Sequence, residues 1–139
     1  MLSTFISEKM PANARDFYIF VSMKKVFYLK TCGTCTKILA KFDLSDWELR
    51  EIKKDPITAE ELEQMHAQTQ SYEALFSKRS TQIKARNIDV NLLKENDFKS
   101  LILNHYSFLK RPVFLTDSEI FVGNEKKNLE ALENFFGTK

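Results

Sequence analysis

The pattern of hydrophobic and polar positions predicts a strand, a short loop and a helix near the start of the chain. Residues 25–29 are rich in β-branched and aromatic side chains, which is typical of a buried strand. A short loop follows, after which Ile38, Leu39 and Phe42 have helical spacing. Residues 47–52 alternate apolar and polar side chains and predict a second strand. This order predicts a parallel pair with a right-handed crossover.

The middle of the chain has a helical pattern. Thr58 and Glu61 have the spacing of a capping box, so a helix is expected to begin at this point. Apolar positions keep a helical character through residues 71–105, with no repeat or linker. We therefore expect a helical insertion between the first two strands and the rest of the sheet.

The last third of the chain predicts a hairpin and a closing helix. Residues 111–116 form a strand pattern with Pro112 at its entry, and a turn leads into an antiparallel partner at residues 120–122. The apolar positions of residues 129–136 predict an amphipathic helix. The predicted fold class is therefore α/β, a mixed sheet in the order β-α-β, helical insertion, β-β-α. With the CxxC of residues 32–35 at the first helix and Pro112 before the third strand, this is a thioredoxin-like arrangement.

Composition narrows the class of protein without identifying a function. The 139 residues are 43% hydrophobic and 29% charged, which suits one domain with a single core. Three Gly and three Pro exclude collagen-like and linker-like chains. The 21 Lys and Arg nearly balance the 19 Asp and Glu, so the charge gives no reason to expect direct binding of nucleic acid.

The first 22 residues have no feature of a targeting signal. They lack a basic start and an apolar core, and the apolar cluster at residues 17–21 is too short to cross a membrane. We therefore expect a cytoplasmic protein that does not associate with membranes. Residues 1–22 are interpreted as an N-terminal extension, disordered or packed on the edge and native or non-native, ahead of a domain at residues 23–139.

The two cysteines, Cys32 and Cys35, form a CxxC motif between the first strand and the first helix. A disulfide scaffold would distribute its cysteines to link distant segments. A structural zinc site needs four ligands, and His66 and His105 lack ligand spacing, so no metal is expected. Beside a βαβ pattern, a cytosolic CxxC favours a redox or nucleophilic thiol pair.

The chemistry of thiols suggests separate roles for the two cysteines. A thiol attacks as the thiolate, and an ordinary cysteine is only about 3% ionised at pH 7. Cys32 at a helix N-terminus would be stabilised as the thiolate by backbone N–H groups, and the loop residues Gly33 and Thr34 would receive an oxyanion. Cys35 lies one helical turn further on and would act as the resolving thiol.

Three segments resemble the arsenate reductase (ArsC)/Spx family over residues 24 to about 136. They are the stretch around the CxxC at residues 28–35, the Ser-Lys-Arg-Ser stretch within residues 74–80, and the Arg-Pro stretch within residues 109–117. The resemblance implies a thioredoxin-like sheet with a helical insertion and a thiolate-based oxyanion or redox site. It also implies that Pro112 is a cis-proline facing the active cysteine.

The resemblance also assigns roles to individual residues. Cys32 takes the place of the nucleophile, and Arg111, directly before the proline, matches the arginine that helps to hold the oxyanion. Arg79 resembles the helical arginine of the Spx-like members more than that of the glutathione-dependent reductases. Those reductases have a further arginine after the hairpin, where Val122 and Gly123 stand here, and a His-Asn-Pro stretch at the position of residues 28–30.

Two main function classes remain open at this point. The first is a thiol-dependent oxidoreductase resembling arsenate reductase, acting on a small oxyanion or a disulfide. It would bind no cofactor, and thioredoxin or the glutathione/glutaredoxin system would supply its electrons. The alternative is an Spx-like regulator that senses oxidation through the CxxC and binds RNA polymerase. A thiol-disulfide protein without arsenate chemistry is a third reading.

Overall fold

The strands of the computed structural model form one mixed sheet. The structure describes residues 23–137, and the predicted extension at residues 1–22 lies outside the described residues. The strands in the described part are β1 (Lys24–Tyr28), β2 (Glu48–Glu51), β3 (Val113–Thr116) and β4 (Ile120–Val122). Their order across the sheet is β2-β1-β3-β4; β1 and β2 are parallel, and the other neighbouring pairs are antiparallel. The predicted parallel pair and hairpin are therefore confirmed.

Five α-helices lie in residues 23–137, joined in part by short 3₁₀ turns. The helices are α1 (Gly33–Leu39), α2 (Ala59–Thr69), α3 (Thr81–Ala85), α4 (Glu95–Asn104) and α5 (Lys126–Phe136). The 3₁₀ turns are Glu73–Leu75, Val90–Leu92 and Tyr106–Phe108. The capping box at the start of α2 is confirmed, because the Thr58 side chain accepts from the Glu61 amide and the Glu61 carboxylate accepts from the Thr58 amide.

The insertion is less regular than its apolar spacing predicts. Ser80 and Asp89 interrupt it, because each side chain accepts a hydrogen bond from the amide two residues further on. Such side chains favour starting a new turn over continuing a helix. Asn87 has a positive φ of 55°, which also ends a helical run. The apolar pattern therefore identified a buried face correctly but overestimated the helical length.

The sheet separates two hydrophobic clusters. Val26 and Phe27 follow each other in β1, are both fully buried, and belong to different clusters. The larger cluster contains residues of the insertion, while the smaller one contains Ile38 of α1 and Leu132 of α5. Helices therefore cover both faces of the sheet, with α1 and α5 on one side and the insertion on the other.

A buried ion-pair network connects β1, β2 and the start of α2. Arg50 donates two hydrogen bonds to the Glu61 carboxylate, at 2.6 and 2.8 Å, and Lys25 donates a third at 3.0 Å. Burial opposes ionisation of Glu61, but the bonds from Arg50, the Thr58 amide and Lys25 outweigh it and hold the pKa of Glu61 at about 2. The network therefore fixes the start of α2, the first helix of the insertion, against the edge strand β2.

Removing the Glu61 carboxylate should destabilise the fold. We expect Glu61→Ala to lower the free energy of unfolding by about 3 kcal/mol, because Arg50 and Lys25 both lose the buried carboxylate and Arg50 keeps only the exposed Asp55 as a close partner. Glu60→Ala, at an exposed position on the same helix, should cost about 0.5 kcal/mol. Urea unfolding at neutral pH measures both values.

The same network predicts a dependence on pH. The folded pKa of Glu61 lies below its ordinary value of 4.5. Its contribution to the free energy of unfolding is therefore complete above pH 4.5 and is lost as the pH falls towards 2. The stability difference between wild type and Glu61→Ala should shrink over this interval. A difference that stays constant down to pH 2 would contradict the assigned role.

Candidate functional site

Cys32 lies in the short connection between the C-terminal end of β1 and the start of α1. It is the N-cap residue of α1, with an extended backbone, and its carbonyl accepts a hydrogen bond from the Thr36 amide. Its own amide donates to the Leu29 carbonyl at 3.1 Å. Cys35 and Ile38 anchor the inner face of α1, since both side chains are buried. The Cys32 thiol is therefore held, partly exposed, at the start of the helix.

The two thiols have pKa values that are shifted in opposite directions. Partial burial opposes ionisation of Cys32, but hydrogen bonds from Cys35 and the Thr34 amide and the charge of Arg111 outweigh it, so the pKa of Cys32 is lowered. Burial raises the pKa of Cys35 to about 11, and its interaction with Cys32 adds to the increase. Cys32 is therefore the thiol that ionises first, and the Cys35 S–H group donates to it. Both cysteines are free.

Arg111 is held by backbone carbonyl groups. Its Nη1 donates to the carbonyl oxygens of Leu109 at 2.9 Å, Ser107 at 3.3 Å and Tyr106 at 3.4 Å. Its buried Nε–H has no hydrogen-bond partner among the described residues. An unpaired buried donor is costly, so Nε is a group that an acceptor in the site would satisfy. The peptide bond from Arg111 to Pro112 is cis.

A cavity of about 530 Å³ opens beside Cys32 and contains both predicted arginines in its lining. Arg79 is exposed and makes no hydrogen bond or ion pair with the other described residues, whereas its neighbour Lys78 is paired with Glu73 at 2.8 Å. The structure therefore brings Cys32, Arg79 and Arg111 to one cavity, with Cys35 beneath Cys32. An anion entering this cavity would meet the unpaired charge of Arg79.

The remaining predicted site residues occupy different positions. Gly33 and Thr34 are exposed in the first turn of α1, and neither contributes to the cavity lining. A Cβ atom on Gly33 would meet nothing within 4 Å, so the fold itself does not require glycine there. Val122 and Gly123 do line the cavity, at the end of the hairpin.

Sequence reasoning gave no site role to several polar residues that line this cavity, including the acidic Glu73 and Glu125. Lys110 and Asn124 both contribute to the lining. The Lys110 side chain lies beside Gly123, where an added Cβ would come within 3.7 Å of its Cδ. Lys110 directly precedes Arg111, so its position in the Arg-Pro stretch was the one available signal.

Residues 23–137 contain neither a cluster of metal-ligating side chains nor a membrane-spanning helix. No group of three or more His, Cys, Asp or Glu side chains in this range could hold a metal ion. No helix in the same range is both long enough and apolar enough to span a membrane.

The mixed sheet, the CxxC at the start of α1 and the neighbouring arginine define a thiol protein of the thioredoxin-like class. The chain belongs to the ArsC family, whose model matches residues 27–132. The sequence and its resemblance therefore predicted both the fold class and the family correctly.

Curated relatives are regulators, and solved structures with the same fold include arsenate reductases. The chain is 29% identical over 96 residues to the global transcriptional regulator Spx of Lactiplantibacillus plantarum, covering 67% of this chain and 73% of that protein. It is 28% identical over 104 residues to the Spx of Staphylococcus epidermidis, covering 73% and 79%. These similarities relate the chain to named regulators within the family.

The structural comparisons support the fold. The arsenate reductase of Vibrio cholerae has a TM-score of 0.63 at 14% identity, over 81% of this chain and 98% of that one. An arsenate reductase (ArsC) related protein of Brucella melitensis has a TM-score of 0.58 at 24% identity, over 78% and 92%. At these identities the likeness extends to the fold alone.

The difference between the two thiols can be tested by alkylation. At pH 7 we expect iodoacetamide to modify Cys32 about a hundredfold or more faster than Cys35, because Cys35 ionises only near pH 11. Mass spectrometry of peptides measures both rates. Cys35→Ser, whose hydroxyl can donate the same hydrogen bond, should keep the Cys32 rate closer to wild type than Cys35→Ala does. Equal modification of both cysteines in the folded chain would contradict the assignment.

Proposed function

We propose that this protein is a thiol-dependent oxidoreductase in which Cys32 attacks an oxyanion or a disulfide and Cys35 is the resolving thiol. The observation that carries the proposal is the opposite shift of the two thiol pKa values beside a cavity lined by arginines. A low-pKa thiol next to a protonated one is the arrangement that a two-step thiol reaction requires. The same cavity offers guanidinium groups, which suit tetrahedral oxyanions.

With arsenate, the proposed reaction has two steps. The Cys32 thiolate attacks arsenic, an S–As bond forms, and one arsenate oxygen leaves as water after protonation. Cys35 then attacks the Cys32 sulfur, the S–As bond breaks, and its electron pair remains on arsenic, which leaves as arsenite. The two sulfurs are oxidised to a Cys32–Cys35 disulfide, and a dithiol such as thioredoxin, or glutathione with glutaredoxin, reduces it again.

The high pKa of Cys35 is consistent with the second step. Part of that increase comes from the Cys32 thiolate, through its charge and its hydrogen bond. Once Cys32 has formed a covalent adduct, it no longer carries this charge, so Cys35 becomes easier to ionise. The resolving thiol is thus kept protonated until the first step has taken place.

The two arginines have separate proposed roles. Arg111 is anchored by carbonyl groups and retains its full charge close to Cys32, and its unpaired Nε–H would donate to the thiolate or to an oxyanion oxygen. Arg79 is exposed and unpaired within the described residues, so it is free to contact an incoming anion. One arginine therefore supports the nucleophile and the other would bind substrate.

A second candidate function is a redox-sensing regulator that binds RNA polymerase. The observation that favours it is the similarity to proteins named global transcriptional regulator Spx. The chemistry at Cys32 would be the same up to the disulfide, since an oxidant could replace arsenate as the electron acceptor. The two functions differ in what recognises the reduced and oxidised chains afterwards.

Turnover with arsenate tests the first function. We expect arsenate-dependent NADPH consumption with either the thioredoxin system or the glutathione/glutaredoxin system. Cys32→Ser should lower it by about a thousandfold or more, because the nucleophile is lost. Cys35→Ser should abolish turnover with thioredoxin and retain it where glutathione can resolve the adduct. If wild type consumes no NADPH with arsenate while a Cys32–Cys35 disulfide still forms with peroxide, arsenate is not the substrate.

Binding to RNA polymerase tests the second function. Under that function we expect the reduced and oxidised chains to differ in affinity for the purified polymerase of the host organism. Cys35→Ser cannot form the internal disulfide, so its affinity should be the same before and after peroxide treatment. Surface plasmon resonance measures all four states. No binding in any state would exclude the regulator.

A further inference from the structure

The 3₁₀ turn Tyr106–Phe108 supplies carbonyl groups to Arg111 and is itself capped by a histidine. His105 is the N-cap residue of this turn, and its Nδ1 accepts a hydrogen bond from the Ser107 amide at 3.1 Å. Because a backbone N–H can only donate, Nδ1 must be the unprotonated ring nitrogen. The Ser107 hydroxyl lies 2.8 Å from the same nitrogen and 2.6 Å from the hydroxyl of Ser80. The ring therefore belongs to a defined hydrogen-bonded group.

His105 contacts two of the three peptide groups whose carbonyls accept hydrogen bonds from Arg111, and it does not contact the third, that of Leu109. The peptide group between Tyr106 and Ser107 donates its N–H to His105 Nδ1, and its carbonyl oxygen accepts from Arg111 Nη1. The next peptide group donates the Phe108 N–H to the His105 carbonyl at 3.1 Å, and its Ser107 oxygen also accepts from Nη1. The orientation of these two carbonyls is thus set from the side opposite the guanidinium.

We infer that His105 is a positioning residue: by capping this turn, it orients two of the three carbonyls that hold Arg111 and so helps to place the charge that stabilises the Cys32 thiolate. The inference rests on the proposed thiol function and extends it to a residue outside the cavity lining. The side-chain cap is the part of this arrangement that a substitution can remove, because the bond from the Phe108 amide uses the main chain.

The remaining contacts of the turn do not replace the cap. The Ser77 amide donates to the Phe108 carbonyl at 2.7 Å, and the buried Phe108 ring stacks on Phe76. These contacts fix the end of the turn against the insertion. They do not involve the peptide group between Tyr106 and Ser107. The Leu109 amide donates to the carbonyl of this group at 3.3 Å, whereas its N–H is held, among the described residues, by His105 alone.

The test measures the thiol pKa of Cys32 from the pH dependence of iodoacetamide alkylation in a series of full-length variants. His105→Ala should raise this pKa by about half a unit, equivalent to about a threefold lower thiolate fraction where the thiol is mostly protonated. His105→Asn should remain close to wild type, because an asparagine side chain can accept the same amide hydrogen. His66→Ala is the matched control, since His66 stacks on Tyr72 in another part of the fold.

A double-mutant cycle shows whether the effect passes through Arg111. Arg111→Gln alone should raise the pKa of Cys32, and adding His105→Ala should then change it no further. The side-chain NMR signal of Arg111 Nε provides a second readout, which does not require substitution of Arg111. It should move in His105→Ala and remain in place in His105→Asn and His66→Ala.

The inference is overturned if His105→Ala leaves both readouts unchanged, if Asn and Ala shift them equally, or if the pKa change persists in the Arg111→Gln background. None of these measurements requires turnover. A chain that reduces no arsenate but retains the coupling between His105 and Arg111 would reject the substrate and support the positioning role. A chain that reduces arsenate but shows no coupling between His105 and Arg111 would support the substrate and reject the positioning role.

Discussion

Strand β1 is buried on both faces, because Val26 and Phe27 point into two separate hydrophobic clusters and neither side chain is exposed. A strand in this position needs neighbours on both sides and helices above and below. At the end of β1 the chain therefore turns directly into α1, whose inner face carries the buried side chains of Cys35 and Ile38. Cys32 lies at that turn as a consequence of core packing. The position of the proposed nucleophile thus depends on the same burial that stabilises the fold.

The two thiols differ in pKa because Cys35 is buried and Cys32 is only partly buried. The way Arg111 is anchored increases this difference. A carboxylate partner would cancel much of the field of an arginine at Cys32, whereas carbonyl dipoles hold the guanidinium and leave its net charge in place. Within the described residues Arg111 makes hydrogen bonds only to backbone carbonyls. Arg50 shows the opposite arrangement, since the carboxylate of Glu61 neutralises it and it serves the fold. The two environments explain why one arginine can act on a thiol and the other on stability.

The sequence was most informative where a local pattern determines the structure. The CxxC between a strand and a helix, the capping box of Thr58 and Glu61, and the hairpin all depend on neighbouring residues, and each was predictable. The interrupted insertion was not, because apolar spacing reports a buried face and the caps at Ser80 and Asp89 determine where each helix begins. The anchoring of Arg111 has no sequence signal at all, since every residue carries a carbonyl and only the folded turn brings three of them together.

The size of the cavity constrains both candidate functions. A water molecule occupies about 30 Å³ in the liquid, and a tetrahedral oxyanion equals only a few waters, so the cavity of about 530 Å³ is much larger than an arsenate requires. Its lining includes Cys32, Arg79 and, at the end of the hairpin, Gly123. In an enzyme, a thiol or a protein segment that delivers electrons could enter beside the substrate. In a regulator, the same opening would admit the oxidant to Cys32 while Cys35 stays buried beneath it. Under both proposed functions the cavity would give access to Cys32, and the burial of Cys35 would set the order in which the two thiols react.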